Sequence, residues 1–415
     1  MSKYDGFVAR LRKALGPLGV FQLARPEFSP QRRRLSRAVS VADLRRLARR
    51  RLPRGVFDYI DGGAGDELTM RANQAAYGAR TFAPRVLRDV GQVDTSSTLL
   101  GEPVATPIVL APTGFTRIVH PDGELAVARA AARAQIPYSL STLSTRSIEE
   151  VASVSDGRLW FQVYPWRDRR LVSELVARAR DAGYEALCLT VDTPVLGRRE
   201  RDIRRGFTLP PKVGLVTLLD GMVHPSWAWR FLTSEPIVFA NVAGRGVGDG
   251  SDAVSLAEYV GRQFDPTLTW DIVGWLRDHW EGRIVLKGIQ TVEDAVLAAE
   301  HEADAIVISN HGGRQLDSAP ATLDLFPAVV DAVEGRLEVI CDGGVRRGSD
   351  VVKAVALGAR AVMLGRPYLY GLAAGGETGV DELLATLQVE MAQTMALIGC
   401  ARVGDLSPAY LASTG

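Results

Sequence analysis

From about residue 105 onward, short apolar runs alternate with longer amphipathic stretches. The apolar runs cover residues 108–111, 138–140, 159–163, 186–191, 284–287, 305–309, 337–341 and 361–364. They are often β-branched and bounded by Gly, Pro, Asn or Asp, which predicts strands buried on both faces. Residues 123–134, 148–154, 169–182, 268–278, 292–301, 323–333 and 349–357 carry helical spacing between them. Eight strands alternating with helices predict a parallel sheet, and eight is the number that closes a (β/α)8 TIM barrel of about 250 residues. The pattern places the barrel at 105–375. A basic helical segment at 1–104 is expected to pack on it, and a helical tail is expected at 376–415.

One interval breaks the rhythm. More than 70 residues separate the fourth strand from the helix near Leu268, and a loop of that length is usually functional. This insertion, at about 205–267, carries Trp227, Trp229, Phe231, Leu232, Ile237, Val238 and Phe239. It reads either as a subdomain over the barrel top or as an interfacial patch resting on a bilayer.

Composition narrows the class. The chain has 415 residues, 47% of them hydrophobic and 23% charged, as in a globular protein. Three cysteines without close spacing argue against a disulfide framework, and no His, Cys and acid spacing predicts a metal site. No apolar run reaches the roughly 18 residues of a membrane span, and no secretory core opens the chain, so a cytoplasmic protein is expected. The net charge of +1 conceals an asymmetry: residues 1–55 hold 15 Lys and Arg against three acids. A solvated helix face pairing with the acidic remainder is favoured over an anion-seeking arm, and no nucleic-acid signature accompanies it.

In a (β/α)8 barrel the chemistry sits where strands end. Polar groups follow every predicted strand, including Lys287-Gly288 after the fifth and His311 after the sixth. Asp342-Gly343-Gly344 with Arg346 follows the seventh strand, and Gly365-Arg366 the eighth. Bare amides and guanidiniums at those two strands suit a phosphate. His311 can take a proton near neutral pH, while Arg199 and Arg314 can grip a carboxylate. Together they point to a small carboxylic acid oxidised or isomerised beside a phosphate-bearing cofactor.

The run Ser309-Asn310-His311-Gly312-Gly313-Arg314-Gln315-Leu316-Asp317 resembles the active-site signature of the FMN-dependent α-hydroxy-acid dehydrogenases and oxidases. The resemblance covers roughly residues 40–405, with the strand-end motifs in the same order, and lies nearest the L-lactate dehydrogenase branch. It implies that His311 is the base, oriented by Asp192, and that Lys287 steadies negative charge on the flavin. It implies that Tyr59, Tyr164, Arg199 and Arg314 bind the substrate. Pro112, Thr113, Gly114, Ser141, Gln162, Thr190 and Ser309 would hold the flavin ring side of FMN. Asp342, Gly343, Gly344, Arg346, Gly365 and Arg366 would hold its ribityl chain and phosphate. Gly114 stands where many family oxidases have Ala, and Leu143 where glycolate oxidase has Trp. These departures favour L-lactate oxidation with a quinone or other acceptor. The resemblance implies a homo-oligomer such as a tetramer, and the apolar insertion allows a peripheral position on the inner face of the membrane. An oxidase acting on glycolate, mandelate or a longer hydroxy acid, and a flavin barrel modifying a peptide-derived substrate, remain as alternatives.

Overall fold

A computed structural model describes residues 29–206, 215–242 and 261–412. The chain divides into two units, Met1–Ala38 and Val39–Gly415. Among the described residues of the first unit is a helix α1 (Pro30–Leu35), whose Ser29 side chain caps the Arg32 N–H.

The second unit opens with α2 (Val41–Arg51), α3 (Arg54–Asp61) and α4 (Leu68–Ala79). A small antiparallel hairpin follows, β1 (Ser97–Leu99) with β2 (Glu102–Val104). The barrel then runs β3 (Ile108–Leu110), α5 (Gly123–Arg133), β4 (Tyr138–Ser141), α6 (Ile148–Ser153), β5 (Leu159–Val163), α7 (Arg169–Asp181) and β6 (Ala186–Thr190). The insertion contributes α8 (Glu200–Arg204), α9 (Leu215–Met222) and α10 (Pro225–Thr233). After α11 (Asp271–Arg277) come β7 (Arg283–Ile289), α12 (Val292–Glu300), β8 (Ala305–Ile308), α13 (Thr322–Val333), β9 (Glu338–Asp342), α14 (Gly348–Ala356) and β10 (Ala361–Leu364). The chain closes with α15 (Arg366–Gly375) and α16 (Glu377–Ile398).

Strands β3 to β10 form a closed parallel barrel in which β10 pairs with β3. This is the (β/α)8 barrel that the alternating pattern predicts, and each observed strand overlaps its apolar run. The strands are almost wholly buried because side chains on one face fill the barrel and those on the other meet helices. α16 packs on α5, α14 and α15, so it belongs to the outer helical ring.

The hairpin has no counterpart in the sequence reading. Leu99, Leu100 and Val104 join Val109, Trp160, Cys188, Val285 and Met363 in one buried cluster, which seals one end of the barrel. Arg158 helps hold it there, donating through Nη2 to the Leu99 carbonyl at 2.9 Å. With that end closed, the opposite end, where the strands finish, is left to hold a ligand.

Candidate active site

A cavity of about 310 Å³ opens at the C-terminal ends of the strands. Sixteen of the side chains or backbones singled out in the sequence line it: Tyr59, Pro112, Thr113, Gly114, Ser141, Tyr164, Arg199, Lys287, His311, Arg314, Asp342, Gly343, Gly344, Arg346, Gly365 and Arg366. Asp192, Gln162, Thr190 and Ser309 lie behind this lining.

His311 is placed by an uncommon backbone. It and the two following glycines have φ of 56°, 63° and 73°, three left-handed residues in succession after β8. Its N–H donates to Ser309 Oγ at 3.0 Å, and its Nδ1 donates to Asp192 Oδ1 at 3.0 Å. Asp192 reaches that position because Gly288 stands at an irregularity in β7, where a Cβ would come within 2.7 Å of the Asp192 Cβ. Burial pushes the Asp192 carboxyl up, but His311 and Lys287 outweigh it, and the net shift is downward. The carboxylate is therefore ionised and fixes the imidazole with the proton on Nδ1, leaving Nε2 for a substrate.

Lys287 is 4% exposed and donates to Ser309 Oγ at 3.0 Å, with Asp342 Oδ2 at 3.2 Å. Burial alone would lower its pKa; Asp342 and Asp192 raise it well above the ordinary lysine value. A permanent cation thus faces the cavity from the barrel wall.

The arginines make a second group. Arg314 donates through Nη1 to the carbonyls of Tyr59 at 2.7 Å and Gly62 at 3.1 Å. Its guanidinium lies 5.2 Å from the centre of the Tyr59 ring, and that of Arg199 lies 5.9 Å from it. Burial, then the neighbouring Arg199, brings the Arg314 pKa down to about 9. Two neighbouring guanidiniums against an aromatic face have the chemistry to receive a carboxylate.

Several lining residues escaped the sequence reading. Asp202 is 4% exposed, with Oδ2 3.3 Å from Arg199 Nε. In the sequence it looks like one more charge in an Arg-rich helix. Phe239 belongs to the insertion that reads either as a subdomain over the barrel top or as an interfacial patch; it is buried against Phe115 at 5.6 Å and forms cavity wall. Phe264 joins it by stacking edge-on to Tyr164 at 5.3 Å.

The residues suit FMN on four observations. Gly343 and Gly344, with φ of 102° and 87°, offer bare backbone beside Arg346 and the start of α15, as a phosphate requires. Gln162 is 1% exposed and its Nε2 is buried without a hydrogen-bond partner, while its Oε1 accepts from Ser141 Oγ at 3.2 Å on the cavity wall. A flavin carbonyl or ring nitrogen nearby would satisfy that donor. Lys287 supplies the cation. Arg366 spends three N–H groups on the carbonyls of Asp61, Gly62 and Gly312, which leaves two for a ligand.

Comparison with known proteins agrees with this geometry. The family model described as FMN-dependent dehydrogenase matches residues 48–413. The chain belongs to that family. It is therefore an FMN-dependent oxidoreductase acting on 2-hydroxy acids. A Mycobacterium tuberculosis protein that carries the provisional name L-lactate dehydrogenase is 46% identical, over 97% of this chain and 95% of the relative. The L-lactate oxidase of Nostoc sp. is 44% identical over 91% of this chain and 99% of its own. Among solved structures, the monotopic membrane protein (S)-mandelate dehydrogenase superposes with a TM-score of 0.87 at 41% identity, covering 90% of this chain and 99% of that one. Among the described residues no helix is long and apolar enough to cross a membrane.

Proposed function

We propose that the protein oxidises L-lactate to pyruvate and passes the electrons to a quinone or another acceptor in place of oxygen. The observation that carries the chemistry is the convergence, in one cavity, of the His311–Asp192 pair, the buried Lys287 cation and the Arg199/Arg314 pair. Arg199 and Arg314 bind the substrate carboxylate, with the hydroxyls of Tyr59 and Tyr164 as further hydrogen-bonding groups. His311 Nε2 takes one of the two protons that the substrate loses. Asp192 stabilises the resulting imidazolium across the 3.0 Å hydrogen bond. FMN, when bound, would supply the sink for the two electrons and the remaining proton, and Lys287 would offset the negative charge that develops there.

The choice of lactate is supported by the names of two relatives at 46% and 44% identity, with glycolate oxidases also standing at 44%. The choice of acceptor is supported by Gly114. A Cβ there, as in many oxidases of the family, would lie 3.0 Å from Leu143 Cβ and 3.1 Å from its carbonyl oxygen. The glycine lets Leu143 pack directly against this loop, where many of the family's oxidases carry a larger residue.

A membrane-held acceptor is supported by the insertion. Trp227 Nε1 donates to the Ile118 carbonyl at 2.8 Å, which ties α10 to the barrel. Trp229 and Leu232 on the same helix are 71% and 78% exposed, with Met222 and Val223 exposed just before it. Such a cluster suits an interfacial position on a bilayer.

Anaerobic mixing with L-lactate should bleach the yellow protein, and in air peroxide should form slowly relative to dye reduction. Rapid stoichiometric peroxide would overturn the acceptor. Bleaching by glycolate or (S)-mandelate but not by L-lactate would overturn the substrate.

A further inference from the structure

Three segments outside the strands carry much of the cavity wall: the end of α3 with Tyr59, the start of α8 after Arg199, and α15 from Arg366 onward. All three meet at one buried carboxylate that does not itself line the cavity. Asp61 is 3% exposed. It accepts hydrogen bonds from Arg45 Nε at 2.5 Å, Arg45 Nη2 at 2.7 Å, Arg201 Nη1 at 3.1 Å and the Tyr370 hydroxyl at 2.7 Å. Arg45 belongs to α2, Arg201 follows Arg199 by two residues, and Tyr370 lies one turn along α15 from Arg366. Four donors use the whole accepting capacity of a carboxylate.

The backbone around Asp61 seats the arginines. The last carbonyls of a helix lack intrahelical partners and carry the negative end of its dipole, so they attract cations. Here the Asp61 carbonyl accepts from Arg366 Nε at 3.1 Å, and the Gly62 carbonyl from Arg366 Nη2 at 2.7 Å. The carbonyls of Tyr59 and Gly62 hold Arg314. Where those carbonyls point depends on how the end of α3 is oriented, and the Asp61 side chain is what fastens that end. Burial works against its ionisation, but Arg45 and Tyr370 hold the carboxyl below its usual range.

We propose that Asp61 is a positioning residue for the carboxylate clamp, locking the ends of α3, α8 and α15 together so that Tyr59, Arg199 and Arg314 face the substrate in one fixed arrangement. The inference rests on the reading of Arg199 and Arg314 as that clamp. A salt-bridge cluster serving stability alone would show the same hydrogen bonds, so the test has to separate binding from folding.

Asp61→Asn keeps the shape and removes the charge. Arg45→Met removes the bidentate partner from the outer side, where the Arg45 side chain is 44% exposed, and is the gentler variant. Flavin bleaching is followed by anaerobic stopped flow with L-lactate, or with (S)-mandelate or glycolate if one of those bleaches the unaltered protein faster. Asp61→Asn should retain FMN, keep the limiting bleaching rate within about threefold and raise the apparent Kd about tenfold. Arg45→Met should raise Kd in the same direction by less. A lowered Tm with unchanged Kd in both variants overturns the proposal. If Asp61→Asn does not fold, an unchanged Kd in Arg45→Met overturns it alone. Arg314→Met, run in parallel, separates the two layers: if it leaves Kd unaltered, the clamp reading itself fails. If it raises Kd while the other two variants do not, only the positioning role fails. Bleaching of the unaltered protein by none of the three acids overturns both.

Discussion

His311 Nδ1 lies 3.0 Å from Asp192 Oδ1, although the two residues are 119 positions apart in the chain. An ionised carboxylate can only accept, so this contact sets the tautomer and leaves Nε2 basic. It follows that His311→Gln should retain FMN, judged by its absorbance, yet lower the limiting rate of flavin reduction by about two to four orders of magnitude. Asp192→Asn should act in the same direction, because an amide can donate to Nδ1 and favour the wrong tautomer. Near-normal reduction rates in His311→Gln would remove the imidazole from the mechanism.

Arg314 offers a different signature. Its guanidinium is anchored to backbone carbonyls on one side and lines the cavity on the other. Arg314→Met should weaken substrate binding by about tenfold or more and slow reduction, while the oxidised flavin spectrum stays largely intact. Burial and the neighbouring Arg199 disfavour the charge of Arg314, but a guanidinium stays protonated throughout the working pH range, so the clamp remains cationic. Loss of FMN from the variant would mean that Arg314 serves the cofactor instead.

The barrel was legible because each strand must be apolar on both faces, and eight such runs between turn residues leave few other architectures. The His311 turn and the glycine-rich end of β9 were legible for a related reason: left-handed backbone and close approach leave glycines behind. What stayed hidden depends on pairing across the chain. The hairpin at Ser97–Leu99 and Glu102–Val104 is too short to show alternation, yet it closes one barrel end. Asp61 stands near other acids such as Asp58 and Asp66, and Asp202 stands among arginines, so only the fold reveals that burial singles them out. The apolar stretch of the insertion hid a division of labour, since Phe239 turns inward to the cavity while Trp229 turns outward.

That outward face makes a prediction of its own. Trp229 and Leu232 project from a helix whose Trp227 is stacked on Phe231 at 4.9 Å and bonded to the barrel. Trp229→Ser with Leu232→Ser removes exposed apolar surface and leaves the anchor. The double variant should stay with the soluble fraction in a flotation assay with anionic vesicles in which the unaltered protein rises, and should still reduce its flavin at the normal rate. Equal flotation of both would place any membrane contact elsewhere.

His120 should govern part of the acid stability. It follows the short turn after β3, and burial pulls its pKa from 6.5 down to about 4, against the pull of Asp122 and with Arg230 and Arg51 acting in the same sense as burial. The folded protein therefore holds a neutral imidazole where the unfolded chain would already be protonated. Between pH 6.5 and 4 the unfolded state binds more protons, so stability must rise with pH across that window and be lost as pH falls through it. A shift of this size corresponds to about 3 kcal/mol between the two ends. Urea unfolding at a series of pH values should show the loss beginning near pH 6.5, above the range where carboxylates such as Asp192 and Asp61 contribute. His120→Gln, which cannot titrate, should flatten the curve above pH 5 while leaving the steeper carboxylate-driven fall below it. A curve for the variant that parallels the unaltered protein over the whole window would show that protonation of His120 is not what the fold resists.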